Sequence, residues 1–467
     1  GLRALIFGVI VSSWCFWTPA PALATTTWQQ VGGDGFGDAD NYLLPTMEVW
    51  NSAIYAGVGR VDTSARIYRS FNGTTWSLVE DDFGHVGLST LVDLHPFDGR
   101  LYASVGSEAV PTTAEIWRSD TDGDTWTQFG ADGLGDAGNT EFFQFEEFNG
   151  MLYVGSRNAG GGQLFRTDGT TWEEITNDGF GDVNNDIIWS LKSWGGYLWA
   201  GTSNDNGAQV WRSTTGDAGS WTKYYDYATE LAPEFTLVNL IDDFKDHLYW
   251  AASSDAGFEI ALRQSDVLFY YSAVGLGDAD NIRVSENAFQ IGNYVYFGTY
   301  KPLSANGAEL WMSEDGLTAT QVGEDGFGDA NNYALYAITF NKYLYVGFSN
   351  ADTGLQIYRR LSTSGFSIKN NDLPDGTQGQ GYNTGIKAIF GEGNISFAIT
   401  KGNLPPGLSL DEASGAITGT PTEAGEFSFT VRARDEEDHD NQEFSIKIIA
   451  GAATSEVTVL PQTGVDL

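Results

Sequence analysis

The side chains with the most chemical potential in this chain are carboxylates that return in a fixed pattern. Asp34, Asp38 and Asp40 lie in DGFGDADN, Asp132 and Asp136 in DGLGDAGN, and Asp178 and Asp182 in DGFGDVNN. Asp278 and Asp280 lie in GLGDADN, Asp325 and Asp329 in DGFGDANN, and a divergent copy, DDFGHVG, starts at Asp81. Calcium takes about six to eight oxygen ligands, so this density of carboxylates admits a calcium site. The spacing is not that of a D-x-D-x-D-G calcium loop. A purely structural turn, with glycines at positive φ, explains the same residues. The four histidines (His85, His95, His247, His439) are scattered, which gives no three-histidine metal centre. Cys15 is the one cysteine, so no disulfide framework is expected.

These motifs must sit on repeated elements. A second marker counts the copies, through the second residue of LY-type pairs at Tyr55, Tyr102, Tyr153, Trp199, Tyr249, Tyr296 and Tyr345. The spacing is about 48 residues and there are seven copies. A third marker follows each pair: ARIYRS, AEIWRS, GQLFRT, AQVWRS, FEIALRQS, AELWMS and LQIYRR. Each unit reads as four short strands rich in Val, Ile, Tyr, Trp and Thr, with Gly, Asn and Asp between them. The period and the lack of helical segments predict an all-β chain whose residues 27–361 form a seven-bladed β-propeller. A β-solenoid is the structural alternative. The chain enters on a lone outer strand, TTWQQV, and the last copy lacks one. Residues 27–31 are therefore expected to complete the last blade and close the ring, covering an exposed sheet edge.

A residue repeated in most blades is architecture, whereas a binding site breaks the symmetry. Three segments do so: YYDYATELAPEF from Tyr224, TYKPLSANGAE around Tyr300 and Lys301, and Arg157-Asn158 before Gly160 to Gly162. Strand order places all three on one face. Arg157, Tyr225, Tyr227, Tyr300 and Lys301 are the candidate ligand contacts, with rings to stack on sugars or apolar side chains and cations to meet an anionic group.

The turns SFNGTTW (70–76), SDTDGDTW (119–126) and TDGTTW (167–172) resemble the Asp-box turn of sialidase-like propellers. The resemblance implies a fold and no activity, since Asp-box turns occur in enzymes and non-enzymes alike. The sialidase active-site pattern is not matched, because Arg66-Ile67-Tyr68 lacks the following proline and recurs as part of the repeat. Sialidases are also six-bladed. The recurring arginines (Arg69, Arg118, Arg166, Arg212, Arg359) are expected to pair with carboxylates between blades.

Beyond Leu361 the repeat stops. A polar linker (362–371) leads to LPPGLSLDEASGAITGTPTEAGEFSFTVRARD, which resembles the Ig-like, cadherin-like modules of bacterial surface proteins. That resemblance implies a β-sandwich over 372–450 serving as a spacer or adhesive module. Residues 1–24 resemble an export signal, with Arg3, an apolar run and a small-x-small end at Ala22-Leu23-Ala24. In the tail (451–467), Leu460-Pro461-Gln462-Thr463-Gly464 resembles the LPxTG sequence that sortases recognise. The following apolar and basic segments are not in the sequence.

The 62 acidic against 24 basic residues give a net charge of −38. Such a surface excludes nucleic acid and anionic membranes as partners. The expectation is a non-enzymatic binding or adhesion protein at the cell surface or cell wall, displaying a propeller on an Ig-like stalk. Its partner would be an extracellular glycan or protein. A secreted glycosidase or lyase on the same scaffold is the alternative, and would need two carboxylates at catalytic spacing.

Overall fold

The computed structural model describes residues 28–450 except 61–63, 85–86, 107–112, 231–233, 245–246, 265–266, 271–273, 279, 292–293, 303–305, 315–317, 362–366, 369–372, 390–394 and 435–438. Residues 1–24, read as an export signal, and the LPQTG sequence lie outside the described residues, as do His85 and parts of the linker and of the loops after Tyr227 and Lys301.

Seven four-stranded blades follow one another in sequence order. Blade one runs Asn41–Trp50, Ala53–Arg60, Arg66–Ser70 and Ser77–Glu80. Blades two to six begin on the inner strands Thr90–Phe97, Glu141–Phe148, Ile187–Trp194, Leu237–Phe244 and Arg283–Ile291, and blade seven on Asn332–Phe340. Each inner strand touches the next, and the seventh touches the first, so the ring is closed. The closing strand is the expected one. Gln29–Val31 pairs antiparallel with Gln356–Leu361, in the register Gln29↔Arg359, Gln30↔Tyr358 and Val31↔Ile357.

Second strands are covered on both faces by neighbouring blades. Ala53–Arg60 is buried along its whole length, which is why these segments read as unbroken runs of apolar and small residues and not as an alternation. The marker tyrosines sit where a blade meets the turn of the next. Tyr345 of blade seven lies under the turn of blade one at Gly73 (φ 69°), where a Cβ would collide with the Tyr345 hydroxyl. The recurring arginines work at the same seam. Arg69 pairs with Asp124 at 2.7 Å and Arg166 with Asp217 at 2.7 Å, each across a blade boundary. Arg118 instead donates to the Gly169 carbonyl (2.7 Å), and Arg212 lies over the Tyr197, Trp199 and Tyr224 rings. The Asn72 side chain accepts from the backbone N–H of Thr74 (2.9 Å) and Thr75 (2.8 Å), closing its turn locally.

The C-terminal part is a β-sandwich. One sheet orders Gly376–Thr377, His439–Ile449, Gly425–Arg434 and Ser396–Gly402; the other orders Tyr382–Gly385, Ala416–Gly419 and Leu408–Leu410. Alternate residues of the long hairpin, such as Phe429, Val431, Phe444 and Ile446, point into the core. Ile368 belongs to that core and its strand pairs with Ala388–Ile389, so the sandwich reaches into the segment read as linker.

Candidate functional site: an aromatic and guanidinium rim on the propeller axis

The DGFGD loops come first because they hold most of the carboxylates. In each, the turn places Gly and the next residue in the left-handed region: Gly35 and Phe36 at φ 53° and 54°, and Gly326 and Phe327 at 53° and 54°. Such a conformation costs a non-glycine residue about 1–2 kcal/mol. Packing offsets it, since Phe36 lies 4.3 Å from the Tyr68 ring and Phe180 5.0 Å from Trp211. The glycine N–H docks on the preceding blade, as Gly133 does on Ala114 O (2.7 Å) and Gly326 on Ala308 O (2.8 Å).

The second carboxylate of each loop is consumed within its own blade. Asp38 binds Arg60 (2.7 Å) and Arg66 (2.9 Å), and Asp136 accepts from Asn158 (3.1 Å) and Gln163 (2.7 Å). Asp182 accepts from Asn204 (3.3 Å) and Gln209 (2.9 Å), and Asp329 from Asn350 (3.0 Å) and Gln356 (3.1 Å). The Arg60 hydrogen bond leads the effects that hold the Asp38 carboxyl down at about 2. The first carboxylates of four loops, Asp34, Asp132, Asp178 and Asp325, accept from Gln30, Gln128, Thr176 and Gln321. Asp40 stands 3.5 Å from Arg60, and the Asp280 N–H donates to Asp278 (3.0 Å). Among the described residues no three His, Cys, Asp or Glu side chains gather to hold a metal ion.

Three expected ligand contacts belong to this same framework. Lys301 is not at the surface: its side chain is 0 % exposed and its ammonium is 2.8 Å from Asp278 and 2.6 Å from Glu309. It occupies the place of Arg60 in blade one and Asn204 in blade four. Tyr227 is also buried, and its hydroxyl accepts from the Trp250 indole N–H (3.0 Å). No DGFGD loop precedes blade five, and the Tyr227 N–H docks on Ala208 O (3.0 Å), the bond that loop glycines make elsewhere. Tyr225 packs on Tyr227 at 4.9 Å as part of the same plug. Both departures from the repeat are therefore substitutions within the architecture.

Arg157 and Tyr300 have a different setting. Each ends a second strand and pairs with the start of the next blade's inner strand: Arg157↔Ile187 and Tyr300↔Ala334. These junctions bring inner-strand side chains together around the axis. Phe143 and Trp189 pack at 4.6 Å, braced by Val92 and Ile187. Arg283, on the inner strand of blade six, places its guanidinium carbon 5.8 Å from the Trp189 ring of blade four and 5.5 Å from the Tyr300 ring. Tyr300 meets Tyr333 at 6.0 Å. Burial, then the neighbouring Tyr42 and Tyr300, push the Tyr333 phenol up. Arg157 ends the series, 5.8 Å from the Phe143 ring and ion-paired with the buried Glu141 at 2.8 Å.

The rim thus runs Arg157, Phe143, Trp189, Arg283, Tyr300, Tyr333. Arg283 is exposed, and none of its N–H groups has a hydrogen-bond or carboxylate partner among the described residues. Of these rim residues the sequence singled out Arg157 and Tyr300, and it did not single out Arg283, Trp189, Phe143 or Tyr333. Aligning the repeats on the loop asparagine offers the signal. Two residues after Asn281 stands Arg283, where the other loop-bearing blades have Leu43, Glu141, Ile187 and Ala334.

A second polar group lies further down the inner strands. Asp93 of blade two accepts from Thr46 of blade one (3.2 Å) and from the Phe145 N–H of blade three (2.8 Å). Burial pushes its carboxyl up to about 6. His95 stands 3.7 Å from Glu147, and Glu146 accepts from the Ser193 N–H of blade four (2.9 Å). These carboxylates bind blade to blade.

Residues 366–449 match the family described as Putative Ig domain (He_PIG). No curated protein matches the chain by sequence. Among solved structures, the chain is similar to a putative alpha-galactosidase/melibiase from Bacteroides fragilis at 26 % identity, covering 18 % of this chain and 17 % of that one, with a TM-score of 0.17. It therefore spans under a fifth of that relative. It is also similar to the polysaccharide lyase Uly1 (11 % identity, 70 % and 91 % covered, TM-score 0.46). A third is the Trypanosoma rangeli sialidase in complex with sialic acid (13 %, 86 % and 83 %, TM-score 0.40).

Proposed function

We propose that this chain is an exported binding protein without catalytic activity. Its propeller rim takes an extracellular glycan or protein, and the Ig-like module serves as a spacer. The observation that supports this reading is Arg283, an exposed guanidinium that has no carboxylate partner among the described residues of a chain with a large excess of acid. It stands between two half-buried rings that can stack on a ligand. Surface charges on an acidic protein find counter-charges readily; one left open among aromatics is available to a ligand. The LPQTG sequence supports covalent attachment to a cell wall, and residues 1–24 support export. Among the described residues no helix is long and apolar enough to cross a membrane.

The test is a glycan and peptide array probed with the full chain and with Trp189→Ala and Tyr300→Ala. Binding by the wild type that is lost in both variants, with unchanged melting temperature, is the expected result. Binding that survives in both, or that maps to residues 366–449, places the site elsewhere. New reducing ends or unsaturated sugars after incubation would favour the alternative, a secreted carbohydrate-active enzyme.

A further inference from the structure

The geometry points to an acidic saccharide as the ligand class of the rim, with Arg283 as the receptor of its anionic group; this rests on the reading of the rim as the binding site. The rim holds two guanidinium groups of different standing. Arg157 is neutralised by Glu141 at 2.8 Å, so its charge is already spent. Among the described residues Arg283 has no such partner, and rings on two blades flank it, at 5.8 Å for Trp189 and 5.5 Å for Tyr300. Flanking rings limit the rotamers of the side chain and displace water from its faces. Both effects strengthen a charge-assisted hydrogen bond to an incoming carboxylate or sulfate, which the planar fork can meet with two parallel N–H donors.

The ligand must also bring apolar ring faces. Trp189 rests on Phe143 and the small cluster of Val92 and Ile187, which holds the indole in place as a platform. On the other side of the guanidinium stand Tyr300 and Tyr333. Aromatic surface, cation, aromatic surface is the complement of a pyranose chain, whose C–H faces stack and whose exocyclic acid projects from the ring edge. A peptide carboxylate would satisfy Arg283 but leaves the two platforms to side chains of no fixed spacing. The net charge of −38 adds a constraint. It repels a dense polyanion at distances up to the Debye length, about 8 Å at physiological salt. The fitting ligand therefore carries isolated acidic units between neutral sugars.

The experiment is titration calorimetry of the full chain with hexasaccharides of different charge and one acidic peptide. The probes are a hyaluronan hexasaccharide, its carboxyl-reduced neutral form, a carboxyl-reduced chondroitin sulfate hexasaccharide that keeps only sulfate, and hexaglutamate. We expect one or both acidic saccharides to bind. Arg283→Gln should weaken that binding about 10- to 100-fold, the usual scale of one hydrogen-bonded charge, and Arg283→Lys should restore part of it. Dependence on the hyaluronan carboxyl or on the sulfate identifies which acid is read. If the neutral hexasaccharide binds as tightly and Trp189→Ala abolishes it, the rim reading stands and the acidic ligand class is overturned. Hexaglutamate binding through Arg283, without saccharide binding, overturns the saccharide. Acidic saccharide binding indifferent to both Arg283→Gln and Trp189→Ala overturns the proposal and the rim together, as does no binding by any probe.

Discussion

Lys301 and Arg283 lie on the same blade and carry the same charge, but their surroundings give them opposite tasks. Lys301 is enclosed by Asp278 and Glu309. Removing one partner of a buried ion group leaves the others uncompensated, so Lys301→Met should cost about 3 kcal/mol or more of stability. Urea unfolding measures that cost, and a variant as stable as the wild type would show that the ammonium is not needed there. Asp93 gives a pH prediction. Its folded value of about 6 lies above the ordinary aspartate value of 3.8, so the folded state holds the extra proton in that window. Stability from this group is full below the unfolded value and is lost as pH rises through about 6. Burial pulls His95 down, but the Glu147, Glu48 and Asp93 carboxylates outweigh it and its value is raised, which gives the same sign. The melting-temperature advantage of the wild type over Asp93→Asn should therefore be larger at pH 4.5 than at pH 7.5. Glu146 and Lys192 face the same region and are common to both proteins. An advantage that does not change with pH would exclude Asp93 as the titrating group.

At the scale of the element, the DGFGD loop joins two blades through backbone bonds and closes one blade through its side chains. Asn185 is fully buried; its amide donates to Gly179 O (2.8 Å) and Gln209 (2.9 Å), and its oxygen accepts from Thr202 (3.1 Å) and Asn204 (2.9 Å). Asn185→Ala strands several buried polar groups at about 1–3 kcal/mol each, so a loss of about 2–4 kcal/mol is expected from chemical unfolding. A loss under about 0.5 kcal/mol would mean that water replaces the amide at no cost. The loop carboxylates already accept from Arg, Asn, Gln and Lys side chains, so they have little to offer calcium. Adding a chelator should leave the melting temperature unchanged. A drop restored by Ca²⁺ but not by Mg²⁺ would instead show a metal bound only to the native state.

At the scale of the molecule, the strand Gln29–Val31 and the Trp28 before it hold the ring shut. Val31 is buried against Ile357, and Trp28 lies 4.4 Å from Phe327 and 4.7 Å from Arg360. Deleting residues 25–31 strips the last blade of its outer strand and exposes a sheet edge. A lower unfolding midpoint and a tendency to associate should follow, read by differential scanning calorimetry and light scattering. A truncated chain that melts with the full one would show that closure contributes nothing.

The sequence by itself determined the blades. Strand, turn and loop signals are local and recur seven times, so the count, the closing strand and the Ig-like module were legible before any coordinates. It also marked Arg157 and Tyr300 as departures from the repeat. It could not tell an exposed departure from an internal one: Lys301 and Tyr227 differ from their counterparts because they replace an architectural partner, and only burial reveals that. Nor could it join Phe143, Trp189 and Arg283, which lie on inner strands of blades three, four and six. Each looks like an ordinary strand residue in its own repeat. Closing the ring turns positions a blade or two apart in sequence into neighbours around one axis, and the rim exists only after that closure.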